Sequence, residues 1–240
     1  MIGAGAIANG TAAGAIGYLA NTQGVDAMAV GVKACALANN SMALGTQAVS
    51  SGVDSIAIGF KSSSTDTSST AIGTQSNASG IDSIAIGFSS SATKTNAASI
   101  GTNATADGIN SMAFGANARA TGTNSTAIGA QSFADQTNSF VIGPNTTACG
   151  VNAGAIGASA NANGTSSLAI GVQSFAKQTS SLALGTNASS IGMNSTAIAV
   201  NASATGANSM AIGYFSTSNG VNSAALSVKA NASGNNSVAL

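Results

Sequence analysis

The stretch Asn124-Ser125-Thr126-Ala127-Ile128-Gly129-Ala130-Gln131-Ser132, NSTAIGAQS at 124–132, decides how this chain is read. It returns as NSMAIG at 208–213 and nearly as NSTAIA at 194–199, while DSIAIG stands at 54–59 and 82–87. Stepping by fourteen from Gly129 in both directions visits seventeen positions between 3 and 227. Fifteen of them are Gly, and the exceptions are Ala199 and Ser227. No insertion or deletion breaks the count. The residue before each of these positions is apolar, the one before that is mostly Ala, and two further back stands Ser or Ala without exception. A second Gly follows seven residues later in most repeats, as at Gly80, Gly108, Gly122 and Gly150, with Asn or Asp two residues beyond it.

The repeat therefore reads N-S-x-A-I-G-x-x-A-x-A-x-G-x. Small residues alternate with period two, which means strand, and the two-residue step in the middle marks a corner. Each repeat is two short strands and two turns. Gly gives both turns access to positive φ, and Asn or Asp there bonds its own local backbone. A helix is excluded by composition, since each Gly costs about 1 kcal/mol at a helical site. One repeat alone buries almost nothing, so successive repeats stack. Seventeen coils at roughly 4.8 Å each predict a rod of roughly 80 Å. The predicted class is all-β: a parallel β-solenoid, one repetitive region over 1–240.

Composition narrows the function. The 240 residues include no histidine and no glutamate, and six Asp balance six Lys and Arg to a net charge of zero. Nothing supplies the basic stripe that phosphates need, so nucleic acid is not a partner. Side chains for general acid-base work are absent or scattered, so the chain is read as a non-enzyme. No cofactor and no metal site are expected. No run of eighteen apolar residues is present, so no membrane span is encoded, and the start MIGAGAIANG lacks a basic leader.

The alternation leaves a tiny set (Ser, Ala, Gly) and a large set of Ile, Leu and Met, and a coil of fourteen residues has room inside for one. If the tiny set lines the interior, the large set points out. Eighteen aliphatic side chains in one row then present on the order of 1,000–2,000 Å² of apolar surface. A soluble monomer seldom exposes a patch above about 300–600 Å², so other chains must cover it, most economically in a closed symmetric oligomer. The opposite arrangement, Ile inside and Ala outside, would give a monomeric solenoid.

These residues carry a resemblance. The motif N-S-x-A-I-G-x-x-A/S-x-A-x-G, tandem over essentially the whole chain, resembles the head repeat of the trimeric autotransporter adhesins, the YadA-like family. The resemblance implies a left-handed β-roll and a homotrimer whose core is the Ile row. In this chain that row is Ile16, Val30, Leu44, Ile58, Ile72 and Ile86, then Ile100, Phe114, Ile128, Ile142 and Ile156. It continues through Ile170, Leu184, Ile198, Ile212 and Leu226. The resemblance also implies display on the outer surface of a bacterial cell, with adhesion to matrix proteins of collagen type or to host cells. The signal, neck, stalk and anchor are not read in 1–240. The family's collagen-associated motif is approached at Asn124, Ser125, Ile128, Gly129 and Ser132, and again at Asn208, Ser209, Ile212, Gly213 and Ser216. Both copies depart from it at the Val position, which holds Thr126 and Met210.

Other features are weaker. Cys35 and Cys149 lie 114 residues apart, too far along a solenoid for an intrachain bridge, which needs Cα atoms within about 7 Å. The Asp residues are read as turn residues, and the Lys and Arg residues as solvated. Tyr18, Phe60, Phe88 and Tyr214 share the row just after the Gly, as corner packing or as a contact surface. QSFADQT at 131–137 and QSFAKQT at 173–179 are near-copies three coils apart. A non-adhesive spacer in a surface or phage fibre, or a self-assembling filament, is the competing function. Ice binding would want unbroken Thr rows, which Val25, Val53, Ile81 and Ile109 interrupt. Hexapeptide acyltransferases are excluded by the period and by the missing histidine.

Overall fold

The computed structural model describes every residue from Met1 to Leu240 and consists of strands and turns. The chain is a parallel β-solenoid of about seventeen coils. It divides into two compact units, Met1–Thr121 and Gly122–Leu240.

In the first unit each coil contributes one three-residue strand, such as Ile56–Ile58, and one two-residue strand, such as Ser63–Ser64. Like strands stack in parallel with a constant offset: Ile56 on Thr70, Ala57 on Ala71, Ile58 on Ile72. The short strands do the same, Asn77 on Ser91 and Ala78 on Ala92. The second unit repeats the plan, with Thr126 on Phe140, Ile128 on Ile142 and Phe133 on Thr147. The strict register follows from the uninterrupted period, since one missing residue would turn every later side chain to the wrong face.

The interior belongs to the tiny set. Ala57, Ala71 and Ala85 in the first unit and Ala127, Ala155 and Ala169 in the second are wholly buried, and Val141 is the largest side chain with no exposure. Serines complete the lining. Buried hydroxyls need partners, and most find a turn carbonyl three residues back: Ser55 Oγ donates to the Gly52 oxygen at 2.7 Å and Ser62 Oγ to that of Gly59 at 3.0 Å. Ser50 and Ser55 hydroxyls also meet at 2.6 Å across the interior. The aliphatic row points outward. Ile16, Phe114, Ile128 and Ile142 are exposed, so the arrangement with Ile inside and Ala outside is overturned. The reason is volume: a lumen packed by Ala and Ser, in which Val141 is the largest side chain, has no space for a row of Ile and Leu.

Two backbone positions per coil adopt the left-handed conformation without Gly. One is the Asn or Asp of the motif, with Asp54 at φ 57° and Asn124 at 56°. The other follows the motif Gly by two residues, with Lys61 at 55° and Gln131 at 57°. Asn and Asp tolerate this region best, because a short polar side chain offsets the Cβ penalty. The motif Gly itself sits near φ 130°, as Gly129 at 131° does, and a Cβ there would overlap the Gly143 carbonyl oxygen. Only the first of the two glycine rows meets the expectation of positive φ. The second row, including Gly24, Gly52, Gly80 and Gly122, is not in the positive-φ region. Its glycines answer a different need: a Cβ on Gly80 would collide with the Lys94 carbonyl, and one on Gly122 with that of Gln136. The row accepts Ala38, Asp66, Lys94, Gln136 and Gln178, each with Gly one coil before and after it.

Candidate adhesive surface

Each coil presents two broad outer strips, one on each strand. The long strand turns two residues outward, the third and fifth of NSxAIG. The fifth is the aliphatic row. Ile16, Leu44, Ile72, Phe114, Ile128, Ile142, Leu184 and Leu226 are exposed, and Val30, Ile58, Ile86, Ile100, Ile156, Ile170, Ile198 and Ile212 are half-buried. The third adds Met28, Met42, Ile84, Met112, Phe140 and Met210, all exposed. Neighbours in these rows shield one another in part: the Phe140 ring covers Gly154, whose added Cβ would overlap it. The result within each unit is a double file of mostly apolar side chains, interrupted by Thr70, Thr126 and Thr196, with no charged residue in either file.

The corner beside this strip carries aromatic residues. Tyr18, Phe60, Phe88 and Tyr214 are all exposed there. The Lys61 ammonium lies 5.1 Å from the centre of the Phe60 ring, a cation–π arrangement. Tyr214 meets Phe215 edge to face, with ring centres 4.6 Å apart.

The ten residues suggested as a ligand site divide sharply. Ser125, Ser132, Ser209 and Ser216 are buried in the lumen. Ser132 Oγ donates to the Gly129 oxygen at 2.8 Å, while the hydroxyls of Ser125, Ser209 and Ser216 have no partner. Gly129 and Gly213 make the corner at φ 131° and 137°. Asn124, Ile128 and Asn208 are exposed and Ile212 is half-buried. The face each copy offers is therefore Asn, then Thr126 or Met210, then Ile, with the serines behind it.

The asparagines do something the sequence reading did not foresee. Asn124 Nδ2 donates to Oδ1 of Asn138, and Asn138 to Asn152, at 3.1 and 3.0 Å. Asn194, Asn208, Asn222 and Asn236 form a second run at 3.0–3.2 Å. In the first unit Asn40 donates to Asp54 at 2.8 Å. These side chains bond the next coil instead of their own turn, as amide ladders do in stacked in-register strands. The signal was present in the sequence, in an amide recurring at one coil position.

The short-strand strip is more polar. Thr93 donates to Asp107 at 2.9 Å and Thr205 to Asn219 at 2.8 Å along one row. Cys35 and Cys149 are free thiols on this side. Burial pushes both thiols above the usual range, and the Asp135 carboxylate raises Cys149 further. No three His, Cys, Asp or Glu residues stand together as a metal-binding set.

The repeat's chemistry has a counterpart among known proteins. The family model described as the YadA head domain repeat, in two copies, matches residues 36–62, 64–90, 92–118, 120–146, 148–174, 176–198, 204–226 and 228–240. No curated protein matches the chain. Among solved structures, the crystal structure of the collagen-binding domain of the Yersinia adhesin YadA is 32% identical. That match covers 56% of this chain and 68% of the other, with a TM-score of 0.41. With the family model recurring over most of the coils whose glycines, serines and asparagines are placed above, the chain belongs to the YadA head domain repeat family.

Proposed function

We propose that this chain is an adhesive module displayed outside the cell, that it works as a homotrimer, and that its ligand is a matrix protein of collagen type. The observation that carries the reading is the uncharged double file on the long strands. About fourteen large outward apolar side chains per unit, at about 50 Å² each, leave on the order of 700 Å² of apolar surface to be covered. Copies of the same chain supply an equal strip in equal register, and three of them close a ring. Membership in the family supports the number three and the location. The ligand class is that of the Yersinia collagen-binding domain to which the chain is similar. The module acts by binding and not by catalysis, since its outward side chains are Ile, Met, Thr and Asn, with no histidine in the sequence to move a proton.

Once the long strands are covered, the short-strand strip and both turn edges remain to meet a ligand. The inward serines and the asparagine ladders give every motif residue a role in the fold, which is what a spacer would also require. Light scattering on the chain, together with saturable binding to immobilised collagen, separates the readings. Three copies with saturable binding is the expected result. Three copies without binding leaves a spacer, and a monomer removes the proposal.

A further inference from the structure

The near-copies Gln131–Thr137 (QSFADQT) and Gln173–Thr179 (QSFAKQT) differ at one residue, Asp135 against Lys177. Both lie in the unit Gly122–Leu240, where the only other charged residue is Lys229. Their two-residue strands belong to one ladder, in which Phe133 stacks on Thr147, Thr147 on Asn161, and Asn161 on Phe175. The next outward row repeats this order as Asp135, Cys149, Asn163 and Lys177. Each of these four backbone amides donates to the following coil at 2.9–3.1 Å. Asp135 and Lys177 thus occupy the same place on the coil, three steps apart, or about 14 Å. Each stands beside a half-buried phenylalanine. Asp135 also accepts from the Gln136 amide at 3.1 Å.

Opposite charges at equivalent positions make this strip complementary to itself under one operation. A two-fold axis lying in the plane of the strip, across the direction of stacking, reverses coil order and keeps each row opposite itself. With the axis between the Thr147 and Asn161 coils, Phe133 faces Phe175 of the second copy and Asp135 faces its Lys177. Thr147 then faces Asn161, and Cys149 faces Asn163. Every pairing occurs twice, as an isologous contact requires. Turning the axis along the stacking direction would set each coil against itself and bring Asp135 towards Asp135, which like charge opposes.

We propose that this short-strand strip binds a second copy of the chain in antiparallel orientation, registered by the two Asp135–Lys177 pairs. The contact uses the face opposite the apolar double file, so it stands whether or not the homotrimer forms. It is small, four coils long, well under the area of a tight complex. It acts where many copies are held together and multiply one another's effect.

Sedimentation equilibrium of the chain over a wide concentration range, at low and high salt, tests this. On concentration a single chain is expected to double in mass, and a trimer, which carries three such strips, to join with further trimers, in each case less readily as salt rises. Asp135→Lys and Lys177→Asp each set two like-charge pairs face to face and are expected to weaken this association by about tenfold or more. The double variant carrying both changes restores the pairs in reverse and returns the association to within about threefold of the original. Failure of the original chain to associate in this way, indifference to salt, or a double variant no better than the single ones would each overturn the proposal.

Discussion

Asn138 accepts the side-chain amide hydrogen of Asn124 across one coil step at 3.1 Å, while its own backbone is held at φ 56°. One residue thus relieves a left-handed turn and ties two coils together, and it passes the same bond on to Asn152.

Asn138→Ala separates those roles. It loses two exposed amide bonds and places a Cβ without a polar tip in the left-handed region, at a combined cost of about 2 kcal/mol. Asn138→Gly keeps the backbone freedom and loses the ladder only, at about half that cost. Urea unfolding of the three proteins, compared by midpoint, checks the order Asn, Gly, Ala.

Ala199 stands in the row where Gly185 and Gly213 hold φ near 135°, and it is itself strained at φ 111°. Ala199→Gly is expected to stabilise the second unit by about 1 kcal/mol, the left-handed penalty less the added freedom of the unfolded chain. Gly129→Val, the reverse kind of change, brings a branched Cβ onto the Gly143 carbonyl and is expected to prevent folding of its coil. Thermal melts of both variants decide this.

Ala127 and Ile128 are adjacent and face opposite ways, the first wholly buried and the second 38% exposed. Ala127→Leu overfills the lumen and is expected to cost at least about 3 kcal/mol. Ile128→Asp leaves the lumen untouched. It puts a charge on the apolar double file, so the circular dichroism stays and the oligomer mass falls. Loss of fold in Ile128→Asp would contradict the outward placement.

Cys149 reports on its neighbour. The Asp135 carboxylate opposes the thiolate and, with burial, raises the thiol's pKa. Removing the charge in Asp135→Asn lowers it. Iodoacetamide labelling of Cys149 is then expected to speed up at pH 8, and its pH profile to shift towards lower pH. Cys35, raised by burial alone, is the internal control, and its rate stays as it was.

The inward and outward sets were legible from size alone, because a small residue, mostly Ala, alternates with a large apolar one, mostly Ile, and a row of the larger kind cannot fit. The strand pair and the corner followed from the same alternation. What the sequence did not disclose is how neighbouring coils constrain each other. The second glycine row looked like a turn requirement, yet Gly80 is needed because the Lys94 carbonyl comes too close. The alternation of Gly with bulk at 24, 38, 52, 66 and 80 held that clue, since a conformational need would not skip every other coil. Likewise Ser125 and Ser209 read equally well as ligand groups or as lining, and only the fold turned them inward. Asn208 was noticed for its motif, whereas its bonds run to Asn194 and Asn222.

A constant offset with no partial steps has a consequence for inheritance. Within a unit, each coil hands the next an edge with the same register, as Thr126 on Phe140 and Phe140 on Gly154 do. Unequal crossing-over between copies that adds or drops whole fourteen-codon blocks rejoins matching edges and disturbs no turn. Such genes can therefore drift in length by steps of about 4.8 Å of reach, and a misaligned exchange that cuts a block short is punished at once.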